Sequence, residues 1–229
     1  MDFGGYYKSN AYDYDHRSDN TPNNGGNRYP AYLVMQDFET CDGYTRLTLR
    51  PLPNLTLVTR YEYQLFTVNT RPDFISGLSE VESARLISHI LAQNVSWSPW
   101  SRLYLQAGFN YVLSETKTPA ADYTQAILNA QNNYWTFNFN SGFVLDDKTD
   151  LNLGYSYYRA NNYEDNSSFA VPYGAGAEQH GITAIVGRQL TQKLRLTVRY
   201  GYYRYRDEVS GGNYDYNAHV VFTSLQYRF

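Results

Sequence analysis

The sequence predicts an all-β chain, an antiparallel up-and-down β-barrel wall, and three observations carry that expectation. The chain ends in Leu225-Gln226-Tyr227-Arg228-Phe229, where apolar and polar residues alternate as on the two faces of a strand. Turn signals recur about every 44 to 48 residues, a spacing that suits two long strands and one loop. Aromatic residues make up 17% of the chain and 25 residues are tyrosine, which favours strands and membrane–water boundaries.

Composition excludes several classes. The net charge of −3 gives no electrostatic basis for nucleic-acid binding. The single Cys41 cannot form an internal disulfide. No apolar run approaches the roughly 18 residues of a spanning helix. The mean hydropathy of −0.57 nevertheless fits a barrel wall, because every second strand residue faces a polar lumen. The start, Met1-Asp2-Phe3-Gly4-Gly5-Tyr6, has neither a basic n-region nor an apolar h-region. An exported chain of this kind therefore implies a signal peptide already removed, or a longer parent chain.

Tight turns are expected at Pro51-Leu52-Pro53, Ser98-Pro99-Trp100-Ser101, Asp146-Asp147-Lys148-Thr149 and Leu190-Thr191-Gln192. After each turn the chain climbs with Leu first and Tyr or Phe further up, all on one parity. Leu55, Leu57, Tyr61 and Tyr63 begin the series. Leu103, Leu105, Phe109 and Tyr111 repeat it, then Leu151, Leu153, Tyr155 and Tyr157, then Leu194, Leu196, Val198, Tyr200 and Tyr202. The other parity carries Thr56, Arg60, Glu62, Gln106, Asn110, Asn152, Arg195, Thr197 and Arg199. Among descending strands, Trp135, Phe137, Phe139 and Phe143 alternate with polar residues, whereas Arg85 to Trp97 is less regular because His89 and Gln93 fall on its apolar parity. Pairing Leu49 with Leu55 and Leu47 with Leu57 superposes the apolar faces across the first turn. Leu145 with Leu151 and Phe143 with Leu153 do the same in the third hairpin. The expected strands are about 11 to 15 residues long, more than the 9 to 11 a tilted membrane strand needs.

The polar loops are placed at 13–30, 69–84, 116–131, 164–177 and 207–215. Tyr6-Tyr7-Lys8-Ser9-Asn10-Ala11-Tyr12 resembles Tyr157-Tyr158-Arg159-Ala160-Asn161-Asn162-Tyr163, the top of an ascending strand. That internal likeness puts Met1 in mid-strand and reads the chain as the carboxyl-terminal part of a larger barrel. The expectation is one domain over 1–229. Residues 1–30 form a partial first strand and polar loop, and 31–229 form hairpins ending in a terminal strand at 216–229. Nine to ten strands result.

Alternation alone does not decide which face is buried, since a soluble barrel would turn its apolar face inward. Strand length, the asymmetry between tight turns and long loops, and a polar parity rich in Asn, Gln, Gly, Thr and Arg favour lipid on the apolar side. The terminal strand adds an independent sign. An amphipathic last strand ending in Phe229, with Tyr227, Leu225 and Val221 on the same parity, resembles the assembly signal of bacterial outer-membrane β-barrels. That resemblance covers nearly the whole chain and implies a porin-like protein of the Gram-negative outer membrane. It implies Val221, Leu225, Tyr227 and Phe229 as the signal read by the barrel-assembly machinery, and the lipid bilayer as a partner.

The candidate lumen residues are Arg46, Arg50, Arg60, Glu62, Arg195 and Arg199, which share the polar parity. Rings of basic side chains set a preference for anionic solutes; the plainer account is that these arginines pair with acids or are solvated. The tyrosine ladders can be read as a sugar-stacking surface, but on the lipid parity an interface girdle explains them, with Trp97, Trp100, Tyr104 and Trp135. Loop residues Tyr12, Tyr14, Tyr163 and Tyr173 are freer to contact a ligand. His16, His89, His180 and His219 lack metal-ligand spacing. Ser88 and His89 are neighbours on opposite faces and form no dyad. The acids Asp13, Asp15, Asp19, Glu164 and Asp165 match no EF-hand loop. No phosphate loop, dinucleotide fingerprint or triad spacing is present, and no cofactor is expected. The expected function is passive diffusion of small polar solutes. The alternatives are a barrel sheath for a partner in electron transfer or polysaccharide export, with that partner plugging the lumen or standing on the periplasmic side, and, more weakly, a rim-site enzyme.

Overall fold

A computed structural model describes residues 1–14, 33–72, 77, 79–118, 129–164 and 174–228. Within them the chain forms β1 (Asp2–Asp13), β2 (Leu33–Leu52), β3 (Leu55–Pro72), β4 (Val81–Trp100), β5 (Leu103–Lys117), β6 (Ala130–Gln131), β7 (Tyr134–Asp146), β8 (Thr149–Asn161), β9 (Gly176–Gln189), β10 (Leu194–Asp207) and β11 (Tyr216–Tyr227). All belong to one sheet whose order follows the chain from β1 to β11, with the two-residue β6 pairing only with β5. Every neighbouring pair is antiparallel, as hairpin connections require. β1 and β11 do not pair with each other, so the sheet is open.

The wall is a single layer. Among the described residues the buried hydrophobic side chains are Val68, Val112, Ala160 and Ala177, far too little for a core of its own. Register assigns every strand residue to one of two faces. The apolar face runs across Leu49, Leu57, Val95 and Ala107, and further on across Leu151, Val186, Val198 and Thr223. It leaves Leu49 49%, Leu153 45%, Ile182 47% and Leu225 62% exposed. A band of this extent on both halves of the sheet is stable only against another apolar phase.

The strands differ from expectation in length and register. β2, β3 and β4 have 20, 18 and 20 residues, and β3 and β4 run into the stretch read as the 69–84 loop. Polar cross-strand pairs there, Asp37 with Asn69 and Gln36 with Thr70, carry the ladder beyond the apolar band. Across the first turn Leu49 faces Leu57, and Leu52 faces Leu55. In the third hairpin Phe143 faces Leu151. Both registers are two residues from the expected ones, because irregularities at Leu49/Leu52 and Val144/Asp146 absorb residues beside the turn. An even displacement preserves the faces. In the second hairpin β4 continues through Ser98, Pro99 and Trp100, past an irregularity at Trp97/Trp100, so the turn is Ser101-Arg102.

The likeness between the amino terminus and Tyr157-Tyr163 does not survive in three dimensions. Tyr6 faces Asp42 on the polar side, whereas Tyr157 faces His180 on the apolar side. The two segments are out of phase by one residue, which turns every side chain to the other face.

Candidate functional site

The polar face of β2 and β3 holds the densest group of charged side chains. Tyr44 lies opposite Glu62, Asp42 opposite Gln64, and Arg46 opposite Arg60. Glu62 accepts from Arg60 at 2.6 Å and from Gln64 Nε2 at 2.8 Å. Gln64 Nε2 also donates to Asp42 Oδ2 at 2.9 Å. The Arg60 guanidinium sits 4.6 Å above the Tyr44 ring, a cation–π contact that holds its plane. Asp42 is only 5% exposed, so this acid depends on its hydrogen-bond partners. Arg46 is exposed, and with Arg60, Asn94 and Asn110 it borders a hollow of about 430 Å³ on the polar face.

The remaining sequence-predicted arginines lie elsewhere. Arg50 is exposed near the first tight turn, on the parity of Arg46. Arg195, on β10, is ion-paired with Asp150 of β8 near the tight-turn end. Arg199 is exposed on β10, opposite Ile185 and Phe222. These arginines therefore form two separate groups, one on β2–β3 and one on β10. Between them the polar face presents Asn110, which donates to Thr136 Oγ1 at 3.1 Å, then Asn138, Asn140 and Asn152.

At the third tight turn the Asp146 carboxylate accepts from the Lys148 backbone N–H at 2.8 Å and from Thr149 Oγ1 at 3.1 Å. These bonds stabilise the ionised form and hold the carboxyl, which stands at the turn beyond the apolar band, below its ordinary pKa.

The terminal-strand residues Val221, Leu225 and Tyr227 share the apolar face, opposite Tyr200, Leu196 and Leu194. Phe229 lies outside the described residues, as do Asp15, His16, Asp19, Asp165 and Tyr173. Tyr104 is on the polar parity, donating to Gln106 Oε1 at 3.3 Å, and is no part of an outer girdle.

The apolar face carries an arrangement that sequence reading missed. His89, His180 and His219 each lie directly opposite the second tyrosine of a Tyr-x-Tyr pair, Tyr63, Tyr157 and Tyr202. Each Nδ1 is hydrogen-bonded to the first tyrosine's hydroxyl, at 2.7 Å for Tyr61–His89 and 2.9 Å for both Tyr155–His180 and Tyr200–His219. Trp135 takes the corresponding place between Tyr111 and Tyr157, with its ring 4.5 Å from that of Tyr157. Histidines that break the apolar alternation are thus absorbed into an amphipathic belt, each Nδ1 partnered by a tyrosine hydroxyl and, in His180, Nε2 by Glu178 Oε1 at 2.6 Å. Gln93 is absorbed in the same way, accepting from Thr59 at 2.5 Å. The signal available in the sequence was the recurrence of Tyr-x-Tyr a few residues after the leucines that follow the first, third and fourth turns. Ser88 faces the other side, where it is hydrogen-bonded to Ser114 at 3.0 Å. Among the described residues no group of three or more His, Cys, Asp or Glu is placed to hold a metal ion.

Open antiparallel order, a polar and an apolar face, and tight turns at one end only describe a segment of barrel wall. The copper transporter OprC has this architecture over its matched part. A TM-score of 0.67 at 14% sequence identity relates the two, covering 99% of this chain and 40% of that one. The fold is that of a β-barrel wall. The chain spans less than half the length of that transporter chain. The NanC porin (11% identity, 84% of this chain and 94% of that chain) and Salmonella typhi OmpF in complex with daunomycin (8%, 99% and 85%) also match, with TM-scores of 0.35 and 0.34. No protein-family model and no curated protein sequence matches the chain.

Proposed function

We propose that the chain forms part of the wall of a bacterial outer-membrane channel through which small polar solutes diffuse passively. The observation that carries this reading is the division of the sheet. Leu, Ile, Val and aromatic side chains predominate on one face, while Asn, Thr, Ser, Arg and Glu dominate the other. A face of that second kind, turned inward, lines an aqueous lumen. Arg46, facing Arg60 and bordering the polar hollow, is the cation best placed to bias such a lumen toward anions. The terminal strand, through Val221, Leu225 and Tyr227, is the segment we assign to recognition by the barrel-assembly machinery.

Reconstitution of the purified protein in planar bilayers tests the channel. Stepwise conductance is expected, with a reversal potential in a salt gradient that moves toward cation preference in Arg46→Ala. Folded, inserted protein that passes no current would sink the reading. One observation favours a second reading, a sheath around a partner. Val220 and Phe222 of β11 stand on the polar parity and are 49% and 58% exposed. Silent membranes together with a co-purifying polypeptide, released by Phe222→Ser, would favour the sheath.

A further inference from the structure

At the loop end of β1, β2 and β3 the polar face changes character. Tyr12, Phe38 and Phe66 come from three successive strands, all on that face. The Tyr12 and Phe38 rings meet edge to face with centroids 5.4 Å apart, and Phe38 and Phe66 stack at 6.2 Å and 29°. With Lys8, Asn10, Thr40 and Tyr14 they line a hollow of about 310 Å³. Tyr14 is fixed by its hydroxyl, which donates to Gln36 Oε1 at 2.8 Å. Lys8, Asn10 and Thr40 sit on the same face: Asn10 lies directly opposite Phe38, and Thr40 stands between Lys8 and Phe66. Aromatic pairs recur on this face toward the loop end elsewhere, Tyr134–Tyr158 tilted at 5.7 Å and Tyr205–Tyr216 stacked at 5.5 Å.

We propose that the hollow bounded by Tyr12, Phe38, Phe66, Lys8, Asn10 and Thr40 is a binding site for a neutral pyranose sugar. The inference rests on the channel reading above and names the solute class that this channel wall would take. A pyranose ring has an apolar C–H face and a rim of hydroxyls. It needs an aromatic surface for the first and short-range donors and acceptors for the second. Tyr12, 51% exposed, offers the aromatic surface. The Asn10 amide supplies both donor and acceptor, the Thr40 hydroxyl either, and the Lys8 ammonium donors only. The volume matches one to two sugar rings, at the lower end of ordinary ligand pockets of about 300–1,000 Å³. A zwitterionic amino acid would need paired charges, and among the described residues Lys8 is the only charged one lining the hollow.

Calorimetric titration of the detergent-solubilised protein with cellobiose, against mannitol as an open-chain polyol, tests the site. Cellobiose is expected to bind and mannitol not, and Tyr12→Ala is expected to weaken cellobiose about tenfold. Asn10→Ala, an independent change on an edge strand, should also weaken it, whereas Tyr134→Ala should not. No cellobiose binding, equal binding of the two polyols, or an unchanged Tyr12→Ala would each overturn the proposal. Conductance is measured separately. Current without cellobiose binding removes the sugar site and leaves the channel; binding without current keeps the site and removes the channel.

Discussion

Asn162 shows how one side chain secures the loop end of the wall. It is 9% exposed, just beyond β8. Its backbone N–H donates to the Ala175 carbonyl at 2.9 Å, and its Oδ1 accepts from the Ala175 N–H at 2.8 Å. Its Nδ2 donates to the Asn133 carbonyl at 2.6 Å. Gly174 stands against it with φ of 89°, and a Cβ there would strike the Asn162 carbonyl oxygen. Asn162→Ala leaves the part-buried Ala175 N–H and Asn133 carbonyl without these partners, so a loss of about 1 kcal/mol is expected, read from denaturant unfolding followed by tryptophan fluorescence. Asp146 makes a prediction with a definite sign. Its folded pKa is depressed, so its contribution is present above the unfolded value, about 3.9, and is lost as pH falls through the folded one. Wild type should therefore lose stability on acidification through that window, and Asp146→Asn should show a smaller change. Equal pH profiles would mean the turn bonds do not couple to folding.

A strand of this wall is defined by which of its faces meets lipid. Leu153 and Asn152 are neighbours on β8, yet one faces Ser141 and Ala184 on the apolar side and the other faces Gly142 and Ile185 on the polar side. Leu153→Arg puts a charge into the apolar band and is expected to cost about 2–4 kcal/mol near the bilayer midplane. Asn152→Arg should be tolerated, since its side chain reaches the polar face. Folding yield into lipid vesicles compares the two directly. The opposite ranking would mean that the polar face is the buried one. The same logic explains why the Tyr–His belt is tolerated: it lies where β3, β8 and β10 leave their leucine rows, and each imidazole has its tyrosine.

At the scale of the molecule, the open sheet sets a physical demand. The outer edges of β1 and β11 expose a row of backbone donors and acceptors, and hydrocarbon offers no partner for them. In a bilayer these edges must pair, with each other or with strands of another segment. Hydrogen exchange on protein in lipid nanodiscs should therefore find the outward-pointing amides of β1 and β11 as protected as those of β5 and β8. Fast exchange at both edges, with the interior protected, would show that these strands do not stand in hydrocarbon. Closure also decides whether the arginines of β2–β3 and those of β10 look at one another across a lumen.

The sequence by itself determined the fold class, the single repeating hairpin plan and the division of each strand into two faces. These follow from side-chain alternation, a property of one strand that needs no partner. Only the tertiary structure decided the registers, because irregularities beside the turns displace Leu49 and Phe143 by two residues while leaving their faces unchanged. It also decided what polar residues on the apolar parity are for. His89 looks like an error in an alternating strand until Tyr61 and Tyr63 are placed beside it. The candidate arginines were legible as residues of the polar face, but not the pairing of Arg60 with Glu62, the pairing of Arg195 with Asp150, or the exposure of Arg46 and Arg199. The hollow at Tyr12, Phe38 and Phe66 was illegible beyond Tyr12 and Tyr14. Its aromatic rings lie far apart in the chain, and only strand pairing brings them onto one face, in a diagonal row across β1, β2 and β3. Local pattern fixes which way a side chain points; which other side chain it meets depends on pairing between segments tens of residues apart.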